Sequence, residues 1–223
     1  MLNVNNLIGF GVGGSDLPTT ATYISTYSSG ADSASYTITN ANLGTPYAGR
    51  RIVIGIACHF SGTATISSIT VGGVAATKLV SSFGGGGLTS GVAFYIIEDS
   101  SNATANVVLN FSAALAGYAI AIWAMAEMNF TGATTSNAIS NNTTSPSLSI
   151  PITISKTGVC LAITKGVVTS GITGYTINTA YQVEGTNSFA AGQTTITSPP
   201  GATNVVVTSS TSSYLSGAVV FFE

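Results

Sequence analysis

One histidine, two cysteines and seven carboxylates are the whole acid–base, thiol and metal-ligating supply of this chain, apart from its lysines and tyrosines. His59 is the only imidazole, so a Ser-His-Asp or Cys-His unit would have to use it. Cys58 precedes it in the apolar run IVIGIACHF. Neighbours in an extended strand point to opposite faces, so the two cannot form a nucleophile–base pair. Cys160 sits in a similar run, GVCLAI. Both thiols read as small core residues, and two cysteines alone do not fix a disulfide. Glu98-Asp99 is the only adjacent acidic pair. It lacks the surrounding oxygen ligands of a calcium loop and reads as a solvated strand end. Seven acids are also a poor supply for the paired carboxylates of a glycosidase. No cluster has metal-ligand spacing. GFGVGG (9–14) follows no strong strand and opens no helix, both of which a dinucleotide-binding loop requires. The chain is therefore expected to be no enzyme and to hold no cofactor and no metal. Tyr23, Tyr27, Tyr36, Tyr47, Tyr175, Tyr181 and Tyr214 are candidates for a sugar-stacking platform, against the commoner role of tyrosine in cross-strand packing.

The residues around these groups say more about architecture. Charged side chains make up 5% of the 223 residues and the net charge is −2, against about 25% charged in an ordinary soluble domain. Ser, Thr, Asn and Gly take their place, which suits a surface sealed against neighbours or displayed on a large particle. With no polybasic patch, nucleic-acid binding is not expected. The N-terminal MLNVNNLIGFGVGGS has neither a positive n-region nor a long apolar segment, so no signal peptide is read. The apolar run from 113 to 128 is shorter than the ~18–20 residues of a membrane helix, and no membrane association is expected.

The organising stretch is VVLNFSAALAGYAIAIWAM (107–125), which contains the only tryptophan, Trp123. A strand with one wet face alternates apolar and polar residues. From Tyr118 to Trp123 this one is apolar on both faces. It must be covered by a second sheet on one side and by a chain segment or another subunit on the other. Elsewhere the chain reads as short strands with turn signals between them: ASYTITNANL, RRIVIGIACHF, a Val71-Gly72-Gly73-Val74 hairpin and GVAFYIIED in the first part. SLSIPITI, with Pro151 marking an edge, TGVCLAITKGVV, GYTINTAYQVEG, SFAAGQTTITS and TNVVVTSSTSSYLSGAVVFFE follow in the second. ANVVLNFSAALAGYAIAIW (105–123) resembles TNVVVTSSTSSYLSGAVVFF (203–222), a weak repeat that implies equivalent central strands meeting in one core. The expected fold is all-β, a β-sandwich or jelly-roll-like domain over 34–223 with two similar half-units, about 34–128 and 147–223. Residues 1–33 read as an extended Gly/Ser/Thr-rich N-terminal arm. Ile52, Ile54, Ile56, Ile120, Ile122, Val159, Leu161, Val219 and Phe221 are expected to face the interior.

SSITVGGVAATKLVSS (67–82), followed by GVAFYIIEDSSNATANVVLNFS and YAIAIWAM, resembles accessory virion proteins of tailed bacteriophages, and the opening IGFGVGG is similar to the openings of such proteins. The resemblance spans roughly residues 50–128. It implies a β-sandwich structural protein of the virion: a capsid decoration or cement protein on the head surface, or alternatively a receptor- or carbohydrate-binding β module of a tail fibre or spike. Its partners would then be the major capsid protein or other virion proteins. Self-association, as a trimer or through a shell contact, is expected from the low charge and the two-sided apolar strand. Phe10, Tyr23, Tyr27 and Trp123 are the residues expected to contact a partner.

Overall fold

The computed structural model describes residues 20–60, 62–84, 90–126, 135–141, 143–167, 170–182 and 187–223. Every regular element among them is a β-strand. The first part of the chain supplies β1 (Thr20–Ser29), β2 (Ser33–Asn42), β3 (Arg51–His59), β4 (Ile66–Val71), β5 (Val74–Ala75), β6 (Thr77–Phe83), β7 (Ser90–Glu98), β8 (Thr104–Leu115) and β9 (Gly117–Ala126). The second part supplies β10 (Thr135–Ser140), β11 (Ser145–Ile154), β12 (Gly158–Val167), β13 (Ser170–Ile172), β14 (Thr176–Gln182), β15 (Asn187–Ile196), β16 (Gly201–Ser213) and β17 (Ser216–Phe222).

Four antiparallel sheets result. A first inner sheet has the order β1-β9-β3-β7-β6 and a first outer sheet the order β2-β8-β4-β5. A second inner sheet runs β10-β17-β12-β15-β14 and a second outer sheet β11-β16-β13. The two orders are the same order. Replacing β1, β2, β3, β4, β6, β7, β8 and β9 by β10 to β17 in sequence converts the first pair of sheets into the second; only the two-residue β5 has no counterpart. The repeat legible at 105–123 and 203–222 is β8–β9 and β16–β17, and it extends to the whole topology.

Each outer sheet packs on its inner sheet as a sandwich, and the two inner sheets pack on each other. Three apolar layers follow. Ile52, Ile54, Ile56, Ile120 and Ile122 fill the first sandwich with Leu109 and Val107. Cys160, Val219 and Phe221 fill the second with Ile150 and Val207. Val53, Phe94, Ala121 and Trp123 meet Val159, Leu161, Ile163, Val220 and Phe222 between the inner sheets. This order explains the sequence pattern. β3, β7, β9 and β17 are buried on both faces and read as unbroken apolar runs. β2 and β11 alternate because only one face is covered. Pro151 sits on β11, an edge strand of its sheet, as the missing N–H requires. Gly72 and Gly73 take positive φ in the two-residue turn that pairs Val71 with Val74.

The expected boundary at residue 34 is corrected. Thr20–Ser29 is not arm but β1, paired along its length with β9. Its serines and threonines conceal an amphipathic strand: Ala21 and Tyr23 pack toward the inter-sheet layer, whereas Ile24 and Tyr27 pack into the first sandwich. A register shift between Tyr23 and Ser25 breaks the simple two-residue period that would have revealed it. Residues 1–19, including Phe10 and the GFGVGG segment, lie outside the described residues.

The inner sheets meet reciprocally. β6 lies against β10, β7 against β17 and β3 against β12. At the opposite margin Trp123 of β9 bonds to β14, and Gln193 of β15 to β1. Since β10 corresponds to β1, β17 to β9, β14 to β6 and β15 to β7, the β9–β14 and β15–β1 contacts are the counterparts of the β6–β17 and β7–β10 contacts. This is the contact pattern of a two-fold symmetric dimer, built here within one chain, with its pseudo-axis along the strands. Gly55, central in β3, permits the close approach. A Cβ there would lie 2.9 Å from Phe94 Cε1 and 3.1 Å from both Ile163 Cδ1 and Trp123 Cζ3.

Candidate functional site

The chemistry-bearing residues are distributed by strand alternation as expected. Cys58 faces the first sandwich, where its thiol donates to the Gly91 carbonyl at 3.5 Å. His59 is the next residue along β3 and belongs to the opposite face. The Cys160 sulfur accepts a bond from the Tyr175 hydroxyl at 2.9 Å in the other sandwich. Both cysteines are free and buried, and burial pushes both thiols up to about 12, so neither is a nucleophile at neutral pH. Among the described residues, no group of three His, Cys, Asp or Glu side chains is placed to hold a metal ion.

Glu98 ends β7 and pairs with Arg51 at 3.2 Å, both side chains partly exposed. Asp99 instead caps the following turn, accepting from the backbone N–H groups of Ser101 and Asn102 at 3.1 and 3.0 Å. Partial burial works to raise its carboxyl, but the Asn102 and Ser101 bonds and the Arg50 charge outweigh this and hold it below its ordinary value. Arg50 is fully buried beneath the turn. Its guanidinium donates to four backbone carbonyls: Asp99 at 2.6 Å, Asn102 at 2.5 Å, Leu43 at 3.0 Å and Gly44 at 2.9 Å. It ties the loop before β3 to the loop after β7, a structural task.

Of the candidate tyrosines, Tyr23, Tyr27 and Tyr36 are engaged in packing and hydrogen bonds within the fold; the Tyr181 side chain lies outside the described residues. Tyr36 packs edge-on against Phe111 and at a tilt against Tyr118 inside the first sandwich. Tyr27 is half-buried and its hydroxyl accepts from the Asn42 N–H at 2.7 Å. Tyr23 packs edge-on against Trp123, ring centres 6.2 Å apart. Trp123 is fully buried, and its indole N–H donates to Asn178 Oδ1 at 3.2 Å. As a contact to another molecule, Trp123 is therefore corrected. Trp123 meets the second half of its own chain, and the two tyrosines are engaged within the fold. The second apolar face of β9 is covered from inside, so it supplies no reason for self-association.

Among the described residues, a polar cluster lies at an end of the layer between the inner sheets. Four serines from four strands form a relay: Ser82 bonds Ser140 at 3.0 Å, Ser140 bonds Ser216 at 2.8 Å, and Ser216 bonds Ser90 at 2.7 Å. Two come from each half. Thr164 donates to the Ser216 carbonyl at 3.0 Å. Beside them stands Lys165, 4% exposed. Lys165 lines a cavity of about 10 Å³ with Ala57, Cys58, His59, Gly117, Asn187 and Phe189 among its other walls. Among the described residues, no carboxylate lines it.

No protein-family model, curated protein or solved structure matches this chain.

Lys165 is the residue that the linear pattern missed. Its signal was present: a single charge inside GVCLAITKGVV, a strand apolar on both faces. Burial lowers its ammonium from 10.5 to about 8, opposed by the neighbouring Cys58. The sign of the consequence follows from linkage. Between about 8 and 10.5 the unfolded chain holds the lysine proton and the folded chain does not, so stability rises with pH. The thiols act oppositely: unfolded they ionise near 9.0 but folded only at about 12, so stability falls above 9. From pH 8 to 9 the lysine adds up to about 1 kcal/mol to the unfolding free energy and the two thiols remove somewhat less, so a shallow climb is expected there and a fall beyond. In Lys165→Met the climb should vanish while the fall remains. A wild-type midpoint that declines steadily from pH 7.5 would contradict this assignment.

Proposed function

We propose that this chain is a structural protein of a tailed-phage virion, bound to the head surface as a decoration or cement protein and held against the major capsid protein or another virion component. The observation that carries this reading is the composition of the two outer sheets. Their seven strands, β2, β4, β5, β8, β11, β13 and β16, contain no Asp, Glu, Lys, Arg or His. Their solvent faces carry short hydroxyl and amide groups instead: Ser35, Thr37 and Thr39 on one, Ser147, Ser149 and Thr153 on the other. Some are already ordered into cross-strand rows, as where Asn110 bridges Ser35 and Ser68 at 2.7 and 2.9 Å. Faces of this kind suit large, repeated, uncharged contacts, in which many copies make weak binding effective.

The test is cosedimentation of the purified chain with particles lacking it, between 50 and 500 mM salt, with gold-labelled antibody to locate it. Binding to the head that changes less than about twofold across that range is expected of contacts without ions. Deletion of residues 1–19, which spares β1, tests the arm as a clamp: release from the head with the β signal retained is the expected result. Absence of label from the head would sink the decoration reading. A tail-module reading has one observation in its favour. A groove of about 470 Å³, the size of a small-ligand pocket, lies along the edge strand β10 and is lined by Thr135, Ser136, Asn137, Thr153, Thr203 and Asn204. Label confined to the tail, with glycan binding abolished by Asn204→Leu, would establish that alternative.

A further inference from the structure

We propose that the faces of the two outer sheets are docking surfaces for other copies of this chain, one copy on each face, so that copies stack through like contacts on both sides. This inference stands apart from the virion reading, because it concerns only the contact of one copy with another.

The observation that carries it is a match between the halves where the fold does not demand one. The central strands of the outer sheets, β8 and β16, correspond residue for residue along ANVVLNFS (105–112) and TNVVVTSS (203–210). Of the four inward pairs only Val107 and Val205 are identical, since a core accepts any apolar group of suitable size. Three of the four outward pairs are identical: Asn106 with Asn204, Val108 with Val206, and Ser112 with Ser210. The fourth, Asn110 with Thr208, exchanges one short polar side chain for another. Exposure agrees position by position as well: the asparagines 106 and 204 are exposed and both valines are half-buried. The valines also share a setting. Val108 lies between Thr37 and Thr70 of the flanking strands. Val206 lies between Ser149, its partner on β11, and Thr173, whose N–H donates to the Val206 carbonyl at 2.9 Å. Each face therefore presents a half-exposed valine with a hydroxyl-bearing residue on either side.

Self-complementarity specifies the occupant. Hydroxyls and amides both donate and accept, so a face built from them can pair with its like. Like charges would oppose such a pairing, but the outer strands carry none, and a net charge of −2 keeps copies apart only weakly. The matched faces look in opposite directions, so a contact made on one side is open to repetition on the other and growth does not close at a dimer.

The experiment is sedimentation equilibrium of the full chain from about 1 μM to about 1 mM, the span of weak specific contacts. The weight-average mass is expected to start at 22.3 kDa and to pass twice that value without a plateau, returning on dilution. Val108→Lys charges one face and should hold the mass to twofold or less; Val108→Lys combined with Val206→Lys should hold it at the monomer. If either valine variant fails to fold, Thr37→Lys and Ser149→Lys, singly and combined, repeat the test at exposed positions of the same rows. A wild-type mass that stays at the monomer throughout overturns the proposal. So does a mass that fails to fall on dilution, growth past twofold in a folded single variant, or undiminished association in a folded double variant.

Discussion

Replacing Arg50 with methionine is expected to destabilise the protein by about 4 kcal/mol, whereas the same change at Arg51 should cost under about 1 kcal/mol. The two arginines are adjacent and indistinguishable by type, so the pair is a controlled comparison. Arg51 is partly exposed, and its ion pair with Glu98 is screened by water. Arg50 is fully buried, and its guanidinium satisfies four carbonyls of two loops. Methionine preserves much of the packing but leaves those acceptors without donors, at about 1–3 kcal/mol for each that water cannot reach. Lysine retains the charge but not the fork, and Arg50→Lys should fall between the two. Urea midpoints of the four proteins check the ordering. Equal midpoints for the Arg50 and Arg51 methionine variants would show that the buried guanidinium does not hold the loops.

Cutting the chain between Ala126 and Thr135 is expected to yield two fragments that copurify in equal amounts. Each fragment keeps an inner and an outer sheet and its own apolar layer. Each also bares half of the third layer, including Trp123 and Phe94 on one side and Leu161 and Phe222 on the other. Patches of that kind are not left open in water. Expressed together the fragments should behave as one 22.3 kDa particle in light scattering; expressed singly, each should self-associate or aggregate. Ile163→Asp places a carboxylate in the shared layer, where no partner exists for it, at a cost of several kcal/mol. It should abolish copurification while leaving the β circular-dichroism signal. Two monodisperse, monomeric fragments that ignore one another would refute the three-layer description.

What was legible in the sequence was what strand periodicity encodes. The apolar pattern on both faces of Tyr118–Trp123 required two covers, and β9 has them: the first outer sheet on one side, the second inner sheet on the other. The Gly72-Gly73 turn, the edge position of Pro151 and the opposed faces of Cys58 and His59 all follow from local rules and all hold. What stayed hidden depends on contacts distant in sequence. β1 was masked by its serines, its threonines and a register shift. The covering of Trp123 by the chain's own second half could not be told from covering by another subunit, because apolar surface does not encode its partner. The serine relay drew no notice in a chain rich in serine; only its position at the end of an apolar layer sets those four apart. Arg50 and Arg51 look alike until the loops that fold over one of them are seen.

The four-layer stack has a geometric consequence. Packed sheets lie about 10 Å apart, so the two charge-free outer faces are parallel plates about 30 Å from one another, looking in opposite directions. One plate can rest on a particle only if the other points away from it. The second offers a face that is likewise free of charged residues and rich in short hydroxyl groups. On the proposed role, the thickness of the fold would set the separation between whatever the two faces touch.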